Sequence, residues 1–211
     1  MLKHSINLVP SRQKLYQAKL LFFLFMASLG MFFAASIITY ASIRHASFGI
    51  PVDAVPGSIF SHSPEFFRAL SVPIPFWLST GVLVLNSWLL IRAVGFVRRE
   101  RQVEFRANLK YAWWCAIAFV LVQSAGMSEL WQVHFSQQDG STKIFGMSFA
   151  LSFIHALHVV GGMAFLGYVR YQAEREHYDH EQHWAVDNCA GYWHFLGVVW
   201  TVMLVTFYVL G

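Results

Sequence analysis

Six of the ten histidines in this 211-residue chain lie in its last third, and their spacing is where any chemistry would begin. His155 and His158 are three residues apart, so a helix carries both on one face. His194 follows inside Tyr192-Trp193-His194-Phe195, and Gln123 is a carboxamide in the middle of the third apolar run. Two imidazoles on one face can offer nitrogens to a metal or haem iron, but a complete site normally takes three or four ligands. The obvious further donor, His194, enters near the start of the next apolar run. At about 1.5 Å per residue it sits several ångströms from the level of His158. The other reading has neutral histidines hydrogen-bonded inside a packed bundle, and the mismatch in depth favours it.

A second cluster is wet. Glu174-Arg175-Glu176-His177-Tyr178-Asp179-His180-Glu181-Gln182-His183 sets three histidines at three-residue spacing among four carboxylates, and Asp187 follows. Three functions suit such a loop: none beyond solvation, a metal site if the fold gathers the ligands, or a surface that collects protons. Imidazoles titrate near neutral pH, and clustered acids raise the local proton concentration. On this reading His177, Asp179, His180, Glu181, His183 and Asp187 form the collecting surface. Asn188 fits an N-cap, with Asp187 complementing the positive end of the following helix.

The elements that must position these groups are set by composition. The chain is 56% hydrophobic and only 12% charged, against about 25% charge in a soluble domain. About twenty apolar residues cross a hydrocarbon core of ~30 Å. Five runs qualify, at about 19–43, 76–97, 111–134, 147–170 and 189–210, giving one all-α polytopic membrane domain over 1–211. Gly30 and Ala34 form a small-residue packing face in the first span. Asn86 and Ser87 in the second read as a polar pair bonding to a neighbouring helix. Arg92, near the end of the second span, can snorkel outward. The loop at 44–75 is broken by five prolines, and residues 98–110 read as a basic connector.

The net charge of +4 does not mark a nucleic-acid binder, because the cations stand in blocks between apolar runs. One side collects Lys3, Arg12, Lys14, Lys19, Arg92, Arg98, Arg99, Arg101, Arg106, Lys110, Arg170 and Arg175; the other receives Arg44, Arg68 and Lys143. The positive-inside rule then puts the amino terminus in the cytoplasm and, after five crossings, the carboxy terminus outside. Cys115 and Cys189 fall near the cytoplasmic face, where thiols stay free. The polar first seventeen residues and the long run after them do not fit a cleavable signal. No nucleophile with a base, glycine-rich phosphate loop or thiolate cluster is present, so the chain shows no active site of its own.

Two motifs carry a resemblance. Ile154-His155-Ala156-Leu157-His158-Val159-Val160-Gly161-Gly162 resembles the Gly-Phe-His-Gly-Leu-His-Val-x-x-Gly signature of subunit III of haem-copper oxidases. His183-Trp184-Ala185-Val186-Asp187, followed by Tyr192-Trp193-His194-Phe195-Leu196-Gly197-Val198-Val199-Trp200, resembles that family's closing His-x-x-x-Glu…Tyr-Trp-His-Phe-Val-Asp-x-Val-Trp. Gln123, the stretch from Pro75 to Asn86, and Gly30-Met31-Phe32-Phe33 add fainter similarity. Two acids of the family pattern are absent: Leu29 stands for a glutamate and Gly197 for an aspartate. The layout looks like family members that lack the first two of seven helices.

The resemblance implies a non-redox accessory subunit of a cytochrome c or quinol oxidase. It would bind phospholipid, dock on subunit I beside the other oxidase subunits, and support proton uptake from the cytoplasm of a bacterium, in whose inner membrane it would lie. Haem and copper would then sit in partner subunits. The motif residues His155, His158, Gly161, Gly162, Tyr192, Trp193, His194, Trp200 and Gln123 would serve helix packing, lipid and subunit contact. Two rivals remain open: an accessory protein of nitric oxide reduction from the same fold family, and a small haem-binding electron carrier using His155, His158 and His194.

Overall fold

The computed structural model describes residues 12–48, 73–136, 142–175, 178 and 183–210. Within them the chain is all-helical: α1 (Arg12–Phe48), α2 (Ile74–Arg98), α3 (Gln102–Ser136), α4 (Thr142–Glu174) and α5 (Trp184–Leu210). All five are long and apolar enough to cross a membrane. Such elements must be helices, because hydrocarbon leaves backbone N–H and C=O groups only each other as partners.

Helices α2, α3, α4 and α5 pack in a closed ring, each touching two neighbours, and α1 lies outside it against α4 and α5. The ring encloses the core: Phe76, Leu90, Phe105, Phe119, Leu166, Trp193, Leu196 and Trp200 are all nearly inaccessible. The outer faces carry Trp77, Leu85, Leu121, Phe153 and Val198, which are exposed and suited to lipid. Gly30 of α1 faces the ring of Phe195 on α5, at 3.6 Å from where its side chain would begin.

The helices run longer than the apolar runs, and two expectations fall for that reason. Residues 98–110 are not a connector: α3 begins at Gln102, so Arg106 and Lys110 ride on its first turns. The turn between α2 and α3 is a tight Schellman closure. Arg101 N–H bonds the Phe96 carbonyl, Glu100 N–H bonds that of Val97, and Glu100 takes the left-handed conformation at φ 58°. Glycine usually fills that place. Asn188 is likewise no N-cap. Helix α5 starts at Trp184, and the His183 carbonyl accepts the N–H groups of Val186 and Asp187. Charged residues extend a spanning helix past the hydrocarbon at no cost to its backbone, so hydropathy alone underestimates its length.

Candidate functional site

The two motifs meet across the α4–α5 interface. His155 is fully buried in α4, and its ring stacks on the Trp200 indole of α5 with centroids 5.2 Å apart and planes at 26°. Phe33 of α1 and Phe119 of α3 present their edges to it at 6.1 and 6.5 Å. The His155 imidazole is thus enclosed by aromatic rings from three other helices. Neither ring nitrogen bonds another described group. His158, one turn on, is only half-buried, and its Nδ1 donates to the Ile154 carbonyl of its own helix at 2.7 Å.

Tyr192 ties α5 to α4 directly. Its hydroxyl donates to the backbone carbonyl of His158 at 2.9 Å. The ring can come that close because position 162 has no side chain: a Cβ there would lie 2.9 Å from Tyr192 Cε1. Gly161 lies beside the Tyr192 hydroxyl, with 3.9 Å of room. Trp200 completes the clamp from α5 towards α2. Its indole Nε1 donates to Thr80 Oγ1 at 3.0 Å, and Thr80 donates on to the Phe76 carbonyl. Trp193 is buried in the core, and its indole nitrogen has no partner among the described residues.

His194 is half-buried on the same helix. His155, His158 and His194 do not gather: no group of three or more histidine, cysteine or acidic side chains among the described residues could hold a metal. Gln123 of α3 is buried, with its carboxamide bonded to no described group, and the Asn86 carboxamide of α2 is in the same state. The expected cross-helix bond from Asn86 is therefore not made to a described residue. Its neighbour Ser87 instead faces Gly197 of α5, its Oγ 3.8 Å from where a side chain at Gly197 would begin. Phe119, Gln123, Met127, Trp131, Phe149 and Phe153 help line an apolar groove of about 410 Å³ between α3 and α4.

Near the start of α5, Asp187 joins that helix to the end of α2. Arg98 at the end of α2 pairs with it at 3.2 Å, and His183 Nε2 lies 3.4 Å from its other oxygen. Tyr178, in the segment between α4 and α5, is buried. Gln102 Nε2 donates to the Tyr178 carbonyl at 3.0 Å, and Phe105 meets its ring edge-on at 6.4 Å. Burial, with smaller contributions from Tyr168 and Cys189, pushes the Tyr178 phenol up to about 12. His177, Asp179, His180 and Glu181 lie outside the described residues. Cys115 and Cys189 are free thiols.

Sequence reasoning missed Tyr178, Arg98, Thr80, Phe33 and Phe119 as members of these arrangements. Only Tyr178 left a signal, as the single aromatic in a run of ionisable residues. The others are ordinary apolar or surface types whose partners lie tens of residues away.

Comparison with known proteins agrees with the motif geometry. The family profile described as "Cytochrome c oxidase subunit III" matches residues 16–211. "Cytochrome c oxidase subunit 3" of Lemur catta is 28% identical over 140 residues, which is 66% of this chain and 48% of that protein. The Oryctolagus cuniculus protein of the same name is also 28% identical, over 66% of this chain and 50% of its own length. That of Dugong dugon is 34% identical over 93 residues, 44% of this chain and 33% of the relative. The chain spans about half the length of the curated relatives it matches. With the profile running through all five helices and the motif residues clamping α4 to α5, the chain is a member of the cytochrome c oxidase subunit III family.

Proposed function

We propose that this chain is an accessory subunit III of a respiratory haem-copper terminal oxidase, without a redox centre of its own. The complex would pass electrons from cytochrome c or quinol to oxygen and move protons as it does so. The observation that carries the reading is the use of the motif residues. His155, His158, Gly162, Tyr192 and Trp200 are spent on stacking, close approach and interhelical hydrogen bonds, which is a scaffold's use of such residues. The chain docks on subunit I as its main partner, contacts phospholipid, and leaves haem and copper to its neighbours. It lies in a bacterial inner membrane with its amino terminus in the cytoplasm, the side to which the positive-inside rule assigns the cation-rich ends of its helices.

The Arg98–Asp187–His183 junction supports a role in proton uptake. It anchors the beginning of α5 to the end of α2, so His183 and Asp187, the last members of the titratable stretch, are held at one end of the bundle. There the stretch collects protons for the catalytic subunit.

Affinity purification through a tag on this chain tests the whole reading. A haem-bearing chain should come with it, and the chain stripped of partners should show no Soret band. A band retained by the isolated chain would instead establish the haem carrier. Replacing His177, His180 and His183 together with Gln should slow turnover of the complex at alkaline pH, where protons are scarce. An unchanged pH profile removes the proton-collecting role while leaving the scaffold role standing.

A further inference from the structure

One cation of the spanning region has no use in the arrangement above. Arg92 lies on the exposed face of α2, six residues before Arg98, beside the exposed Trp88 and Ile91. At about 1.5 Å per residue this is ~9 Å along the helix from the end that bears Arg98. Its guanidinium does not reach freely outward. It packs 4.7 Å from the centroid of the Trp88 ring and 5.5 Å from that of Phe96, one turn to either side. Among the described residues no carboxylate forms an ion pair with it. Arg101, which also lies over Phe96 at 5.7 Å, is neutralised by Glu104 at 2.8 Å. Arg98 is likewise occupied by Asp187.

A guanidinium at this depth is costly without a counter-charge, and water defects or local thinning are the usual relief. Two flanking rings stabilise the cation but supply no anion. A planar guanidinium held open to lipid offers paired N–H donors in the geometry that a phosphate oxygen pair accepts. We propose that Arg92, with Trp88 and Phe96, forms a headgroup site for an anionic phospholipid of the leaflet on the Arg98 side. The phosphodiester seats on the guanidinium, and the acyl chains lie along the exposed apolar face of α2. The inference rests on the lipid-embedded part of the reading given above and gives its lipid contact a chemistry and a place; docking on the catalytic subunit does not depend on it.

The test compares full-length chain with R92Q, R92K and R175Q variants in nanodiscs of equimolar phosphatidylglycerol and phosphatidylcholine. Native mass spectrometry counts the lipids retained after extraction into neutral detergent. The unsubstituted chain should retain phosphatidylglycerol preferentially, and R92Q should lower that ratio about fivefold, as expected for one cation near a membrane surface. R92K keeps the charge but not the stacked plane, so it should fall between, and it serves as the probe should R92Q misfold. R175Q removes an equal charge from the end of α4, where Arg175 sits on Tyr171, and should leave the ratio unchanged. No preference in the unsubstituted chain, or equal losses in R92Q and R175Q, overturns the site. So does an R92Q variant that keeps its lipid ratio but sheds the haem-bearing chain, since the counter-charge is then an acidic side chain of a partner. Co-purification of that chain is scored separately, so loss of the lipid site and loss of the accessory-subunit reading are distinct results.

Discussion

A buried phenol is the residue with the clearest solution signature. Tyr178 is held inside by Gln102 and Phe105, and burial raises its ionisation from 10.0 to about 12. A raised acid pKa means that the folded chain keeps the proton the unfolded chain would release. The stabilisation is therefore complete below about pH 10 and is lost as pH rises from about 10 towards 12. Absorbance of the phenolate near 295 nm, compared between the unsubstituted chain and Y178F, should show one tyrosine titrating late. The fold of Y178F should be less sensitive to alkali over that window. Ionisation of that tyrosine at an ordinary pKa would mean that Tyr178 is not packed against Gln102 and Phe105 as described. The Arg98–Asp187 pair is a different case: both side chains are well exposed, at 57% and 36%. Exposed pairs contribute at most about 1 kcal/mol, so its value lies in register rather than stability.

At the scale of elements, two glycines of the motif region separate close approach from empty space. A Cβ on Gly162 would press into the Tyr192 ring, whereas one on Gly191 would meet nothing. G162A should therefore force Tyr192 away from the His158 carbonyl and destabilise the chain by roughly 1–3 kcal/mol, the usual cost of overpacking. G191A should be neutral or slightly stabilising, because alanine is a better helix former by about 1 kcal/mol. Thermal unfolding followed by circular dichroism in detergent distinguishes them. Equal effects would show that α4 and α5 are not packed through Tyr192. The same logic explains why the Gly197 departure from the family pattern is tolerated. A Cβ there would lie 3.8 Å from the Ser87 hydroxyl, and among the described residues no lysine or arginine is buried to call for an acid. Leu29 is buried on α1 within the apolar core, as a leucine in an acid's place should be.

At the scale of the whole molecule, a four-helix ring with α1 laid against one side leaves most of α1 facing outward. Tyr16, Leu20, Phe23, Leu24 and Met31 are exposed along it, a surface that suits lipid or another subunit. The proposed direction of crossing rests on the distribution of charge in the sequence. With the cations gathered at one end, a fluorescent reporter on the amino terminus should fold in the cytoplasm, and alkaline phosphatase on the carboxy terminus should be active outside. A phosphatase fusion that is active only at the amino terminus would reverse the orientation, and the stretch from His177 to Asp187 would then face the wrong compartment for the proposed proton uptake.

The sequence by itself determined that the chain crosses the membrane five times as helices, because apolar length and backbone hydrogen bonding leave no other solution in hydrocarbon. It also determined the family, through two runs whose residue types and spacing are local. Helix ends lie beyond the apolar runs where polar and charged residues continue the helix, as at Gln102 and Trp184. Which residues meet was decided only by the tertiary structure. Trp200 reaches Thr80 across 120 positions, Arg98 reaches Asp187 across 89, and Gln102 holds Tyr178 across 76. Hydropathy places a residue at a depth in the bilayer, but the rotation of each helix about its axis is set by how rings and glycines interlock. That rotation turned His155 inward onto an indole and left Arg92 on the exposed face of α2.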